Sequence, residues 1–251
     1  MSQIISTCTA ETLRFQKPIN GGSPNTFRIP VSGCKDGKPI PSVFIASPTV
    51  FSFGVTPQAN IGEKIEEDLS NVKGYTLPLC LYNKTGPTPE EVQFVELFNS
   101  LVEACKAYLC TKEANEQLAK FGDDQLQMSD LKKLNPLYYK KEKGQVVPGT
   151  GPVLYAKLLM QKDAQRCFTS FSDGKNTHND FKSLINKRMY VRSALKLDSI
   201  FVGAKVSLQF KVFEVNYKLL NVNGPSRLLA DLPVQLQCGG NEHPDDDSIH
   251  D

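Results

Sequence analysis

The sequence predicts a mainly β fold of the α+β kind with one long amphipathic helix, and three observations predict it. Short runs alternating apolar with polar or small residues recur along the chain, separated by turn-forming clusters of Gly, Pro, Asn and Ser. One stretch near 90–110 instead repeats its apolar residues at helical spacing. The clearest alternation sets Val206, Leu208, Phe210 and Val212 against Lys205, Ser207, Gln209 and Lys211. That is a strand with one buried face and one basic, hydrogen-bonding face.

In chain order, residues 26–31 and 42–55 read as strands divided by the turn-rich run Ser32-Gly33-Cys34-Lys35-Asp36-Gly37. Residues 75–82 form another strand, ended by Asn83-Lys84-Thr85-Gly86-Pro87. Thr88 then caps a helix, Pro89 suits its first position, and Glu90 and Glu91 favour the positive end of its dipole. Val92, Val95, Phe98, Leu101, Val102 and Cys105 give it an apolar stripe to about Cys110, with a continuation or restart through Phe121. Further strands are expected at 136–140, 153–160, 166–171, 189–202 and 205–217, with a short helix at 179–188. Residues 1–240 are read as a single domain, and the tail 241–251, with five acidic and no basic residues, as disordered.

A chain of 251 residues with 40% hydrophobic and 22% charged residues suits an ordinary globular protein. Its net charge of +2 hides a division: residues 132–218 hold 17 Lys and Arg against 6 Asp and Glu, leaving the remainder at −9. So basic a block is the electrostatic footprint of a polyanion binder. Eleven of the 22 Phe and Tyr residues lie in the same block. A binder of single strands needs cations for the phosphates and flat rings for the unstacked bases, and the two are interleaved here. The candidate contacts are Tyr138, Tyr139, Lys140, Lys141 and Lys143; Tyr155 and Lys157; Arg166 and Phe168; Lys187, Arg188, Tyr190 and Arg192; and Lys205 and Lys211. On a strand, Arg188, Tyr190 and Arg192 share one face, so a ring would stack a base between two phosphate clamps. Competing explanations are a solvated surface for the charges, a hairpin end for Lys140, Lys141 and Lys143, and core packing for about half the rings, Phe210 first.

Signals for catalysis are weak. Gly149-Thr150-Gly151-Pro152 lacks the Lys-Ser/Thr of a phosphate-binding loop. Cys167 and His178 have no spacing that specifies a thiol–imidazole pair, and Asp173, Asp180 and Asp198 are the scattered carboxylates of the basic block. No enzyme activity and no cofactor are expected. Seven scattered cysteines without a C-x-x-C pair, beside three histidines, read as free thiols of a reducing compartment rather than a zinc site. No secretory start or membrane-spanning run is apparent, so an intracellular protein is expected.

The stretches LNPLYYKKEKG at 134–144, GTGPVLYAKL at 149–158 and ALKLDSIFVGAKVSLQFKVFEV at 194–215 resemble the single-stranded DNA-binding proteins of nucleocytoplasmic large DNA viruses, of an iridovirus-like kind. The likeness is best over about 130–220. It implies an OB-type β-barrel coating single strands during viral replication, recombination or repair, in the host cytoplasm or nucleus. Tyr138, Tyr139, Lys140, Lys157, Lys205 and Lys211 are the positions it carries over. The expected partner is single-stranded DNA or RNA, with replication proteins reached through the acidic tail and self-association as further classes. A virion structural protein that uses its barrel to contact other proteins is the alternative, and a metal-dependent nuclease a third reading.

Overall fold

Strict alternation makes two strands the backbone of this molecule. In the computed structural model, β15 (Met189–Val202) and β16 (Ser207–Leu219) form a long antiparallel hairpin. Val206, Leu208, Phe210 and Val212 are buried as their spacing requires, and so are Met189, Val191, Leu195 and Leu197. The structure describes residues 12–22, 26–35, 37–60, 62–83, 85–119, 131, 134–147, 149–161, 166–203 and 205–220. Residues 221–251, including the acidic tail, lie outside the described residues.

The other elements, in order, are β1 (Leu13–Phe15), β2 (Ile19–Asn20), β3 (Phe27–Lys35), β4 (Lys38–Ile40), β5 (Val43–Ala46), β6 (Val50–Ser52), β7 (Thr56–Gln58) and β8 (Gly74–Cys80). Helices α1 (Pro89–Leu109) and α2 (Lys112–Ala119) follow. The chain then runs through β9 (Leu137–Tyr138), β10 (Lys141–Glu142), β11 (Gln145–Val146), β12 (Val153–Leu158), β13 (Ser170–Ser172) and β14 (Thr177–His178) to the hairpin.

Five strands close into a barrel in the order β15, β6, β8, β12, β16 and back to β15. Every step is antiparallel except β12 with β16. A small barrel with one parallel closure between its third and fifth strands is the OB-type arrangement, so the mainly β, OB-like expectation holds. β1 to β5 extend this sheet through β3 and β5, which pair with β15. The first half of the chain thus helps build the barrel sheet.

Helix α1 packs against the barrel core through its apolar face. Thr88 and Glu91 form a reciprocal capping box, the Glu91 amide donating to Thr88 Oγ1 and the Thr88 amide to Glu91 Oε2 at 2.8 Å. The Phe98 ring lies 4.6 Å from that of Phe210, centroid to centroid, joining helix and barrel in one core. The buried stripe is Phe94, Val95, Phe98, Leu101, Val102, Cys105 and Leu109; Val92 sits at its margin rather than within it. The helix restarts as α2, as the sequence allows.

Several expectations need correction. Ser32 to Lys35 are strand, not turn, because they pair with β1 and β4, an approach that Gly33 permits where a side chain would strike Ile40 of β4 and Val43 of β5. The 42–55 run splits into β5 and β6. At 179–188 there is only a 3-10 turn, Lys182–Leu184, started by the Asp180 carboxylate accepting from the Lys182 and Ser183 amides. The 166–171 strand is reduced to a bridge at Cys167 and to β13.

Candidate nucleic-acid interface

Residues paired across neighbouring strands point to the same side of a sheet. Tyr190 of β15 pairs with Phe51 of β6, Phe51 with Cys80 of β8, Cys80 with Val153 of β12, and Val153 with Tyr138 of β9. Their sequence neighbours Val191, Val50, Leu79, Leu154 and Leu137 are buried, so this row lies on the outside of the barrel. Four steps at roughly 4.8 Å give a row about 19 Å long. Phe53 and Tyr155, two residues along their chains from Phe51 and Val153, widen it into a belt. Tyr138, Tyr155, Phe53 and Tyr190 are 57%, 51%, 52% and 41% exposed. Edge-on contacts brace these rings: Phe51 with Phe53 at 4.9 Å, Phe51 with Tyr190 at 6.2 Å, Tyr138 with Tyr155 at 6.2 Å. Two groups of exposed rings, Phe53 and Tyr190 with Phe51 at one end and Tyr138 with Tyr155 at the other, are joined across the half-buried Cys80 and Val153, and such an apolar strip marks an interaction surface.

Two glycines hold the Tyr190 end together. Gly54 has φ +94°, and a side chain there would meet the Lys187 backbone at 2.5 Å. Its neighbour Val55 exchanges backbone bonds with the run-in to β15, its amide donating to Leu184 O and its carbonyl accepting from the Asn186 amide. Phe53 and Arg188 are thereby drawn to one end of the belt. Gly151 lies where a Cβ would stand 2.3 Å from the Tyr82 Cβ, so its role is to seat the Tyr82 ring, not to cradle a phosphate. Between them is a cleft of about 380 Å³ whose walls include Phe51, Phe53, Tyr82, Arg188 and Tyr190.

Along β12 the outward residues change from ring to cation. Lys157 follows Tyr155, stands level with Lys211 of β16, and Lys211 pairs with Lys196 of β15. Lys157 Nζ donates to Gln209 Oε1 at 2.9 Å. Desolvation by its surroundings, with the charges of Arg28 and Lys211, pulls the Lys157 pKa below the ordinary lysine value even though the residue is exposed. Such crowded cations favour an anion. Asp198 supplies one, 2.8 Å from Lys211 and 3.3 Å from Lys196. Burial pushes its carboxyl up, but the hydrogen bond and charge of Lys211, aided by Lys196, hold it below the usual carboxylate range.

Residues 31–243 match the family described as "Protein of unknown function (DUF2738)". The chain belongs to this family. The "Early 31 kDa protein" of Frog virus 3 (isolate Goorha) is 27% identical over 206 residues, covering 80% of this chain and 73% of that one. "Uncharacterized protein 007R" of Invertebrate iridescent virus 3 is 26% identical over 179 residues, 70% of this chain and 35% of its own length. Iridovirus proteins are therefore homologues, which accounts for the viral part of the resemblance. The chain spans about a third of the second relative.

In this DUF2738 member the fifteen sequence-derived candidates do not form one cluster. Tyr138, Tyr155 and Tyr190 join the belt, Arg188 its cleft, and Lys157 and Lys211 the lysine row. Arg192 is exposed two residues beyond Tyr190, on the same side of β15. Lys140, Lys141 and Lys143 occupy the β10–β11 hairpin, Lys140 paired with Glu142 at 3.1 Å, which is the solvated hairpin end of the competing explanation. Tyr139 packs partly against the core, and burial followed by Tyr82 raises its pKa. Arg166 stacks over the exposed Phe168 ring at 5.4 Å past the end of β12, beside a separate pocket of about 430 Å³. Lys187 is exposed next to Arg188, and Lys205 lies in the β15–β16 turn, at the other end of that hairpin from Tyr190.

Sequence reasoning missed Phe51, Phe53, Tyr82, Arg28 and Lys196. A signal existed for the first two: in Val50-Phe51-Ser52-Phe53 the rings face out while Ser52 is fully buried, its Oγ accepting from the Gly54 amide. Judged by polarity, the same stretch has the opposite facing. The candidate carboxylates are spent on structure: Asp173 accepts from the Lys175 and Asn176 amides, Asp180 starts the 3-10 turn, and Asp198 holds lysines. Cys34, Cys80, Cys105, Cys110 and Cys167 lie outside any disulfide. Among the described residues no helix is long and apolar enough to cross a membrane.

Proposed function

We propose that this chain binds single-stranded DNA, in sequence-tolerant fashion and without catalysis, as an iridoviral replication, recombination or repair protein. The observation that carries the reading is the belt with ring groups at its two ends, Tyr190 with Phe51 and Phe53, and Tyr138 with Tyr155, the latter followed along β12 by the lysine row. Rings stack unpaired bases, and Lys157, Lys211, Lys196 and the nearby Arg28 neutralise phosphates, releasing counterions. The belt crosses the second and third barrel strands, β8 and β12, the face with which OB-type barrels take up oligonucleotides. A virion structural role would use the same rings against a protein, but protein contact centres are depleted in lysine, and here lysines adjoin the rings. The host cytoplasm or nucleus, where viral DNA is copied, is the corresponding place of action.

The test is fluorescence anisotropy with labelled oligo-dT, duplex DNA and RNA over a salt series. Oligo-dT should bind more tightly than duplex, with affinity falling steeply as salt rises. A flat salt response excludes the phosphate mechanism, and assembly into oligomers without strand binding would favour the structural role.

A further inference from the structure

We infer that the outer face of β12 carries the strand past Lys157 to one further subsite, where Phe168 stacks a base and Arg166 and Lys182 hold its phosphate; this rests on the single-strand reading above. Beyond Leu158 the chain stays extended and is paired by the stretch 166–168. The Phe168 amide donates to Leu159 O at 2.7 Å and the Gln161 amide to Arg166 O at 2.8 Å, on either side of an antiparallel Met160–Cys167 bridge. That register sets Phe168 beside Leu159 and Arg166 beside Gln161. Cys167, between them, is buried, as are Leu154, Ala156 and Leu158, so Phe168 and Arg166 face outward with Tyr155 and Lys157. Only two residues of extended chain, roughly 7 Å, separate Lys157 from Leu159. Phe168 is therefore the next flat surface that a strand meets on leaving Tyr155 and Lys157 along β12.

The chemistry of this corner repeats that of the belt. The Arg166 guanidinium lies 5.4 Å from the Phe168 ring centroid, and the ring it braces is still 51% exposed. Both residues line the pocket of about 430 Å³, which lies near the lower end of small-ligand sites, roughly 300–1,000 Å³, and suits one nucleotide. Lys182, exposed at the start of the 3-10 turn, lines the same pocket. The carboxylate in the described lining is that of Asp180, which accepts from the Lys182 and Ser183 amides. Two cations against one carboxylate leave the lining positive. A ring to stack on, with cations beside it, is the combination that takes a nucleotide by its base and its phosphate.

Anisotropy with the full chain tests this, using labelled oligo-dT of about 4 to 16 nucleotides, the span of sites on OB-type barrels. Phe168→Ala should leave the shortest oligomers that bind at wild-type affinity and weaken the longest roughly 5- to 150-fold, the effect of one lost stacked base. Arg166→Ala should weaken the same long oligomers and make their log–log salt dependence shallower by about 0.7, one phosphate contact fewer. Both side chains are exposed, so the thermal midpoint should stay near that of the wild type. Tyr155→Ala, by contrast, should weaken every length. Wild-type affinity of either variant for the longest oligomers overturns the inference while leaving single-strand binding intact. A loss of the same size at every length overturns it too, because the pair would then lie at the centre of the path instead of its end. A wild-type chain that binds no oligomer overturns both this inference and the reading beneath it.

Discussion

Tyr155 and Tyr190 hold their rings outward because each occupies the solvent-facing phase of a strand whose alternate residues, Leu154, Ala156, Met189 and Val191, are sealed in the core. Nothing in the fold requires these rings. Tyr155→Ala or Tyr190→Ala should therefore leave the thermal midpoint nearly unchanged and weaken oligo-dT binding by about 1–3 kcal/mol, roughly 5- to 150-fold. Wild-type affinity in both variants would remove the belt from the binding surface. Asp198 has a double role. Burial alone would raise its pKa, but Lys211 and Lys196 hold it low, so its contribution to stability is complete above the unfolded carboxyl pKa of about 4 and is lost as pH falls through the lower folded value. Asp198→Asn should make the loss of stability below about pH 4 shallower, read from denaturant midpoints across pH. The same change unmasks two lysines and should tighten oligo-dT binding at neutral pH; unaltered binding would place the lysine row outside the phosphate path.

Elements meet at the belt through close approaches that only small residues permit. Gly54 joins the β6–β7 bend to the segment before β15, with the Lys187 backbone 2.5 Å from where a Cβ would stand. Gly174 has a similar φ of +90° but open space around it. Alanine at either position meets the left-handed backbone penalty, yet only Gly54→Ala adds a backbone collision. Gly54→Ala should cost on the order of 2 kcal/mol more than Gly174→Ala in chemical denaturation. Equal losses would show that the bend yields, and that the seating of Phe53 beside Arg188 is not rigid. Helix α1 works at the same scale: Glu91, in its first turn, completes the capping box with Thr88 and also lines the cleft, so the start of the helix places a polar residue beside the rings.

Along the whole sequence, a nearly neutral chain divides its charge between the basic block 132–218 and the acidic stretch 241–251. The described fold ends at Leu220, on the wall of the cleft, its amide bonded to the Arg188 carbonyl. About 20 residues separate it from Asn241, a reach of up to roughly 65 Å if fully extended. A tethered polyanion within reach of a cationic surface competes with a free one at high effective concentration. Removing residues 241–251 should tighten oligo-dT binding at low salt, with the difference fading as salt screens both partners. No change at low salt would assign the tail to solubility or to protein contacts.

The alternation of Val206 to Val212, the cap at Thr88 and the turn-forming run that follows the 75–82 stretch are local facts, and they made the long hairpin strand, the helix and the mainly β class legible in the sequence alone. Where two local preferences competed, sequence was insufficient: the 3-10 turn at Lys182–Leu184 has helical apolar spacing but packs as a corner. The belt itself was decided by tertiary structure. Its members come from β6, β8, β9, β12 and β15, over a hundred residues apart, and they meet because barrel closure sets the register Tyr190–Phe51–Cys80–Val153–Tyr138. A ring is apolar whether it fills a core or awaits a base. Only the phase of its strand against its neighbours fixes which, and that phase is a property of the closed sheet.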